Sequence, residues 1–305
     1  MRVLVLGFPH FVDMLVPMLS NERIQFIPYQ GHRWIWLFEL LRADGCYFIG
    51  GRWKRDKFLD LALLMKKKIV MHWVGTDVAD ATTAYYQKDV SHEIIARCQH
   101  WAEVSWTADE LCAVGISAEV IPLTSALTVS ETFELPSEFT ILAYLPAGRA
   151  LFYGAQQILQ LAKDLPSVPV LCIGSVESPF RFVSEPLPSN LSLLGRPESL
   201  QSVYSQAMLL IRMTEHDGLS FMVLEALAHG RYVIWSYALD GAPGLYQATN
   251  YKLMLEHVKT LQTQHQHGQL APNYDGANFV HTHYDIEIVS ANIRARFAKI
   301  LDISK

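Results

Sequence analysis

A chain of 305 residues, half of them hydrophobic, is long enough for two domains with separate cores, and it contains no apolar run long enough for a spanning helix. A formal net charge of −5 argues against nucleic acid as a partner. Cys46, Cys98, Cys112 and Cys172 stand singly in apolar segments without metal spacing, which points to buried, reduced thiols and a cytoplasmic setting.

The opening Arg2 to Leu6 reads as a buried strand that enters a loop at Gly7, Pro9 and His10, not as a signal peptide. The apolar pattern then predicts a helix to Leu19, a strand at Gln25 to Pro28, a helix at Trp34 to Leu41 and a strand at Cys46 to Ile49. A helix over Lys57 to Met65, a strand at Lys68 to Trp73 and a helix around Val90 to His100 follow. A strand near Glu103 to Trp106, a short helix over Ala108 to Val114 and a strand at Glu119 to Pro122 close the first half. Short apolar strands alternating with helices imply a parallel sheet covered on both faces.

Near Thr128 to Glu138 the composition turns to Ser, Thr, Glu and Pro without periodicity, as in an interdomain linker. The expected organisation is a domain over 1–128, a linker over 129–138 and a second domain over 139–285. Residues 286–305 form a terminal helix expected to pack back on the first domain. In the second half, strands are predicted at Phe139 to Leu145, Pro169 to Ile173, Leu191 to Leu194, Met208 to Met213 and Tyr232 to Trp235. Helices are predicted at Tyr153 to Lys163, Leu200 to Ala207, Leu219 to His229 and Ile286 to Ile300, the last with Ile286, Val289, Ile293 and Phe297 on one face.

The segment Asp217-Gly218-Leu219-Ser220-Phe221-Met222-Val223-Leu224-Glu225 carries the clearest chemical signal. Gly218 can take backbone angles closed to other residues, which would leave the amides of Leu219 and Ser220 free at a helix N-terminus, where phosphate is attracted. Glu225 lies on a hydrophobic helix and needs a hydrogen-bonding partner; a ribose diol is one. Taken alone, the segment is equally an ordinary helix start, capped by Asp217 and with Glu225 in an internal ion pair.

The segment resembles the carboxylate-x7-Glu signature of the GT-B "group 1" retaining glycosyltransferases, with Asp217 where Glu is usual and Glu225 at the second position. Ala226 to Ile234 resembles the helix end and strand that follow in that family, and Leu193-Leu194-Gly195-Arg196-Pro197 resembles its nucleobase loop. Ala102 to Trp106 through Val120 to Pro122 is similar to its last N-domain unit, with Leu123-Thr124 in place of the usual Asn-Gly. Asp240 to Gly244 stands at the place of a Gly-rich loop near the donor phosphates. In Pro146 to Gly154, Arg149 supplies a cation, but Tyr153 stands where the family places Lys.

The resemblance implies an α/β chain of two Rossmann-like domains facing a central cleft. It places the donor on Arg149, Gly174, Gly195, Arg196, Pro197, Gly218, Leu219, Ser220 and Glu225, with Asp217 near the donor sugar. Asp77 and His72, at the end of the Lys68 to Trp73 strand, are the further catalytic candidates, each with a plain packing or turn role as its rival. His10, Gly51 and Arg52, also at strand ends, are candidates for the acceptor side and equally for ordinary turns.

Trp34, Trp36, Phe38 and Leu41, with Arg33, Arg42 and the basic residues from Arg52 to Lys68, form a face suited to the inner surface of a membrane, or a core helix beside a solvated charge run. His265, His267, His281 and His283 lack a fixed helical spacing, so no metal is expected. The expected activity is metal-independent, cofactor-free transfer of a sugar, with retention, from a nucleotide-sugar donor to a carbohydrate or lipid-linked acceptor. A non-catalytic nucleotide-sugar-binding partner or sensor, and a nucleotide-sugar epimerase, remain as alternatives.

Overall fold

The computed structural model describes residues 1–29, 35–125, 127, 134–175 and 177–301. Trp34, Arg33 and half of the expected linker lie outside them. The chain divides into two compact units, Met1–Ala126 with Tyr284–Lys305, and Leu127–His283.

In chain order the first stretch contains β1 (Arg2–Gly7), α1 (Pro9–Leu19), β2 (Gln25–Pro28), α2 (Ile35–Arg42), β3 (Gly45–Ile49), α3 (Lys57–Leu64) and β4 (Lys68–Trp73). α4 (Thr76–Tyr86), α5 (His92–Arg97), β5 (Gln99–Ala102), α6 (Ser105–Ala113) and β6 (Glu119–Val120) complete it. The second unit holds β7 (Ile141–Tyr144), a 3-10 turn (Ala147–Arg149), α7 (Ala155–Asp164), β8 (Val170–Ile173), β9 (Leu191–Gly195), α8 (Leu200–Gln206) and β10 (Leu209–Arg212). α9 (Phe221–Ala228), β11 (Tyr232–Trp235), β12 (Leu245–Gln247), α10 (Tyr251–Gln266) and α11 (Tyr274–Tyr284) follow, and α12 (Ile286–Ile300) belongs to the first unit.

The first sheet runs β2-β1-β3-β4-β5-β6 and the second β12-β11-β10-β7-β8-β9, and the pairs in both are parallel. Successive strand residues point to opposite faces, and β3 shows it. Tyr47 meets Phe297 of α12 at 5.2 Å between ring centres, whereas Phe48 meets Phe58 of α3 at 5.7 Å. Phe297 also touches Phe26 and Trp101, so α12 contributes to this unit's core. In the second unit, Ile141, Ala143, Ile211 and Ile234 share a core with α7 and α10. The alternate residues Leu142, Leu210 and Val233 face the other side, where α9 lies against β11.

Two differences from the sequence pattern have physical causes. α4 is rich in Thr, Asp and Ala and offers no strong apolar stripe. The strand expected at Glu103 to Trp106 lies at Gln99–Ala102, because Trp101 and Ala102 fill the core while Ser105 already starts α6. β12, α10 and α11 had no predicted counterpart.

Candidate functional site

In a parallel open sheet a ligand binds beyond the carboxyl ends of the strands, where the strand order reverses. In the second unit that point lies between β7 and β10. The last residue of β10 is Arg212, a buried cation in an apolar strand. Its guanidinium holds Asp217 by two hydrogen bonds, Nε to Oδ2 at 2.5 Å and Nη2 to Oδ1 at 3.0 Å. Trp235, the last residue of β11, donates its indole N–H to the same Oδ2 at 3.2 Å. Burial opposes the charge on Arg212, but the adjacent Asp217 carboxylate outweighs it and holds the guanidinium protonated. Asp217 therefore enters the site as half of a bidentate ion pair, not as a lone carboxylate.

Tyr144 and Tyr153 wall this pair. Their rings meet edge to face at 5.4 Å, and the Arg212 guanidinium carbon lies 5.0 Å from the Tyr153 ring centre and 5.9 Å from that of Tyr144. The position that lacks Lys thus faces a cation supplied by β10. Gly154 permits this closeness: its φ is 81°, and a Cβ there would stand 2.4 Å from the Met213 carbonyl oxygen. Arg149 is exposed and lies 4.2 Å over the Phe152 ring, beside a cavity of about 420 Å³ that Arg181 and Phe182 also line.

Glu225 accepts a hydrogen bond from the Tyr204 hydroxyl of α8 at 3.0 Å. Burial, reinforced by the Glu225 charge, pushes the Tyr204 hydroxyl well up, so it stays a donor. The neutral His229 ring stacks under Tyr204 at 4.9 Å, with burial pulling its pKa down. Gly174 and Gly195, at the ends of β8 and β9, are joined by the Gly174 N–H to the Gly195 carbonyl at 2.8 Å. Pro197 is half-buried, and exposed Arg196 is close enough for its charge to act on Tyr144. Leu219 and Ser220 are buried at the start of α9, where Ser220 makes no side-chain cap bond. Gly218 is not among the glycines with positive φ, so its expected special backbone angle is not used; the Arg212–Asp217 pair holds the turn instead.

One further expectation is corrected. The loop Asp240 to Gly244 leads into β12 at the amino ends of the strands, where the Asn273 side chain donates to the Pro243 carbonyl at 2.9 Å. It is therefore at the wrong end of the sheet for the group gathered at Arg212. Arg231, also at an amino end, donates to the Glu134 carbonyl at 2.7 Å.

In the first unit the strand order reverses between β1 and β3, which brings Gly7 to His10 beside Gly50 to Arg52. His10 and Arg52 are exposed, while Gly51 is buried. Asp77 is buried and acts as a tie: it accepts from the Gly51 N–H at 2.5 Å and from the Val74 N–H at 3.0 Å, and burial raises its carboxyl despite these donors. His72 is fully buried. The Ile121 carbonyl, 2.8 Å away, can only accept, so Nε2 carries the proton and Nδ1 accepts from Tyr47 at 2.7 Å. Burial pulls His72 down to about 3, and with both nitrogens occupied it is a core residue with nothing left for a ligand.

Arg212 is the residue that motif reasoning missed. Its signal was a cation within the apolar Met208 to Met213 run, at the end of a predicted strand. Among the described residues no group of three or more His, Cys, Asp or Glu is placed to hold a metal ion, and no helix is long and apolar enough to cross a membrane.

No protein-family model matches this sequence, and no curated protein matches it. Solved structures do match in shape. HepE from Anabaena in complex with UDP-glucose is 12% identical with a TM-score of 0.69, over 98% of this chain and 100% of that one. A glycosyltransferase from Rickettsia africae is 10% identical with a TM-score of 0.71, over 98% of each chain. The chain has the GT-B fold. The sucrose-phosphate synthase of Thermosynechococcus elongatus, 11% identical with a TM-score of 0.69 over 100% of both chains, has the same fold. Within a GT-B fold the two six-stranded sheets are its two Rossmann-like domains.

Proposed function

We propose that the protein transfers a sugar, a hexose, from a nucleotide-sugar donor to an acceptor hydroxyl, with retention and without a metal. The observation that carries this reading is the convergence of Arg212, Asp217 and the Tyr204–Glu225 pair at the strand-order reversal of a GT-B domain. HepE, similar in fold, binds UDP-glucose. In this reading the ribose replaces water around Glu225, the base rests near Gly195 to Pro197, and the diphosphate meets Arg149, Arg212 and the start of α9. The electrostatic task is to stabilise the departing diphosphate, which cations fixed in a dry site do well. The acceptor oxygen bonds to the anomeric carbon as the bond to the diphosphate oxygen breaks, and the leaving phosphate takes the acceptor proton.

His10, Gly51 and Arg52 are assigned to the acceptor side, with Asp77 holding Gly51 in place. Exposed Phe38 and Leu41 of α2 and Leu64 of α3, near Arg42 and Lys66, are assigned to contact with a cytoplasmic membrane face where a lipid-linked acceptor would be met. The test is a thermal-shift screen: UDP or UDP-glucose should raise the melting temperature by mass action. Release of UDP on adding an acceptor glycan should then follow, unchanged by chelator. No shift with any nucleotide-sugar would sink the reading. A second reading, a binder without turnover, is favoured by Tyr153 at the Lys position and by the engagement of Asp217; it predicts the shift without UDP release.

A further inference from the structure

The loop after β10 has two sides. Arg212 turns toward Asp217, and the next residue, Met213, belongs to the core beneath α7 and α10. On the Met213 side lies a cavity of about 570 Å³, within the range of about 300–1,000 Å³ common for small-molecule sites. Its polar lining comes from four places in the fold: Gln156 and Gln157 at the start of α7, Thr214 and Glu215 after β10, Ser236 after β11, and Thr249 before α10. The side chains of Gln156, Gln157, Glu215, Ser236 and Thr249 have no hydrogen-bond partner among the described residues. None of the groups assigned above to the nucleotide lines it.

The lining selects a ligand class by elimination. It contains no Lys, Arg or His, and the Glu215 carboxylate repels anions, so phosphate is disfavoured. One carboxylate among amides and hydroxyls is a poor metal site, and no three-ligand cluster occurs among the described residues. An apolar ligand would strip water from five unpaired polar side chains, at about 1–3 kcal/mol for each group left unsatisfied. A neutral polyhydroxylated ligand reverses that penalty. Its hydroxyls donate to Glu215 and to the amide oxygens, and they accept from the amide N–H groups. Leu151, Met213 and Tyr237 complete the wall and offer apolar surface to the C–H face of a pyranose. We propose that this cavity is a saccharide subsite, built separately from the nucleotide groups across the same loop.

The test uses the full chain with labelled methyl groups. Met213, Thr214 and Thr249 report on the cavity, and Met222 and Val223 of α9 report on the nucleotide side. Glucose, galactose and N-acetylglucosamine are titrated in turn to about 100 mM, where even a 10 mM Kd would be about nine-tenths saturated. Saturable shifts at the cavity methyls are expected with at least one of these sugars. Inorganic phosphate should give none there. The double variant Gln157→Leu/Ser236→Ala should weaken the sugar Kd about tenfold, the effect of roughly one hydrogen bond. No saturable shift with any of the three sugars, or equal shifts with phosphate, overturns the proposal.

UDP-glucose then separates two sources of the sugar. If it moves both sets of methyls and competes with free glucose, the occupant is the donor's own sugar. If it moves only Met222 and Val223 and leaves glucose binding intact, the occupant is an acceptor. A UDP titration that leaves Met222 and Val223 unmoved counts against the nucleotide-sugar reading and leaves the sugar result standing.

Discussion

Removing one member of the Arg212–Asp217 pair should destabilise the second unit far more than removing both. The two side chains are 9% and 14% exposed, so either one left alone is a nearly buried charge. Breaking such a pair costs about 3–5 kcal/mol, whereas replacing both members by apolar groups of similar volume is close to neutral. Asp217→Ala also leaves the Trp235 indole N–H without that acceptor. For a unit of this size each kcal/mol moves Tm by about 2–4 °C, which gives a drop of roughly 6–20 °C for Asp217→Ala or Arg212→Met. Scanning calorimetry of the full chain reads this directly, and Arg212→Met/Asp217→Leu completes the cycle. The double variant should regain most of the lost stability but not UDP affinity, because the proposed cation is gone. Single-variant drops under about 2 °C would refute the reasoning. So would a double variant as unstable as the sum of the two singles.

Three more outcomes are expected. Tyr204→Phe removes the hydrogen bond to Glu225 and should weaken UDP binding several-fold, with Glu225→Ala weakening it about 10- to 100-fold by calorimetric titration, as for hydrogen bonds to a charged group. The folded His72 value of about 3 lies below its unfolded value near 6.5, so the unfolded chain binds the extra proton: stability holds above about pH 6.5 and falls by up to about 1.4 kcal/mol per unit below it. His72→Gln, which can bond both Tyr47 and Ile121, should flatten that decline in urea titrations at pH 7 and pH 5, leaving the contributions of His100 and His229, whose burial shifts them the same way. Gly154→Ala should lower Tm and weaken UDP binding together, since its φ of 81° and the 2.4 Å approach to the Met213 carbonyl oxygen leave no room for a methyl group.

How much of this was legible in the sequence depended on whether a feature is local. β2, β4, β11 and α12 fall where apolar spacing alone puts them, because strand alternation and helix periodicity are written over a few residues. The spacing of Asp217 and Glu225 is equally local, but taken alone it fits an ordinary helix start, and the role expected of the pair came from the family resemblance. Long-range partners were not. Nothing near Asp217 in sequence announces Trp235, and nothing near Glu225 announces Tyr204; parallel strand order brings them together. Asp77 shows the converse. Its polar turn looked fit for chemistry, and only the register of β3 on β4 shows that the carboxylate is tied to Gly51. The loop from Asp240 to Gly244 was misplaced because composition does not say which end of a sheet a loop serves.

These placements bear on why Tyr can occupy the position of Lys. A Lys at position 153 would put a second cation against the Arg212 guanidinium, where the Tyr153 ring now lies 5.0 Å away. Two cations sharing one carboxylate would repel in a poorly hydrated site. A ring offers the opposite: its face attracts the guanidinium and keeps water from it. The buried cation at the reversal of strand order therefore stands on β10, at a rigid strand end, and not in the lead-in to α7. The two departures from the family pattern, Tyr153 for Lys and Asp217 for Glu, then belong to one arrangement. The shorter Asp carboxylate meets Arg212 from five residues away, and Tyr153 closes the other side of the same guanidinium. Restoring Lys alone, by Tyr153→Lys, should accordingly lower UDP affinity rather than raise it. Tyr153→Lys combined with Arg212→Met should recover affinity if the site needs one cation and is indifferent to which element supplies it. Isothermal titration of the two variants decides the matter, and a gain in affinity from Tyr153→Lys alone would show the two departures to be independent.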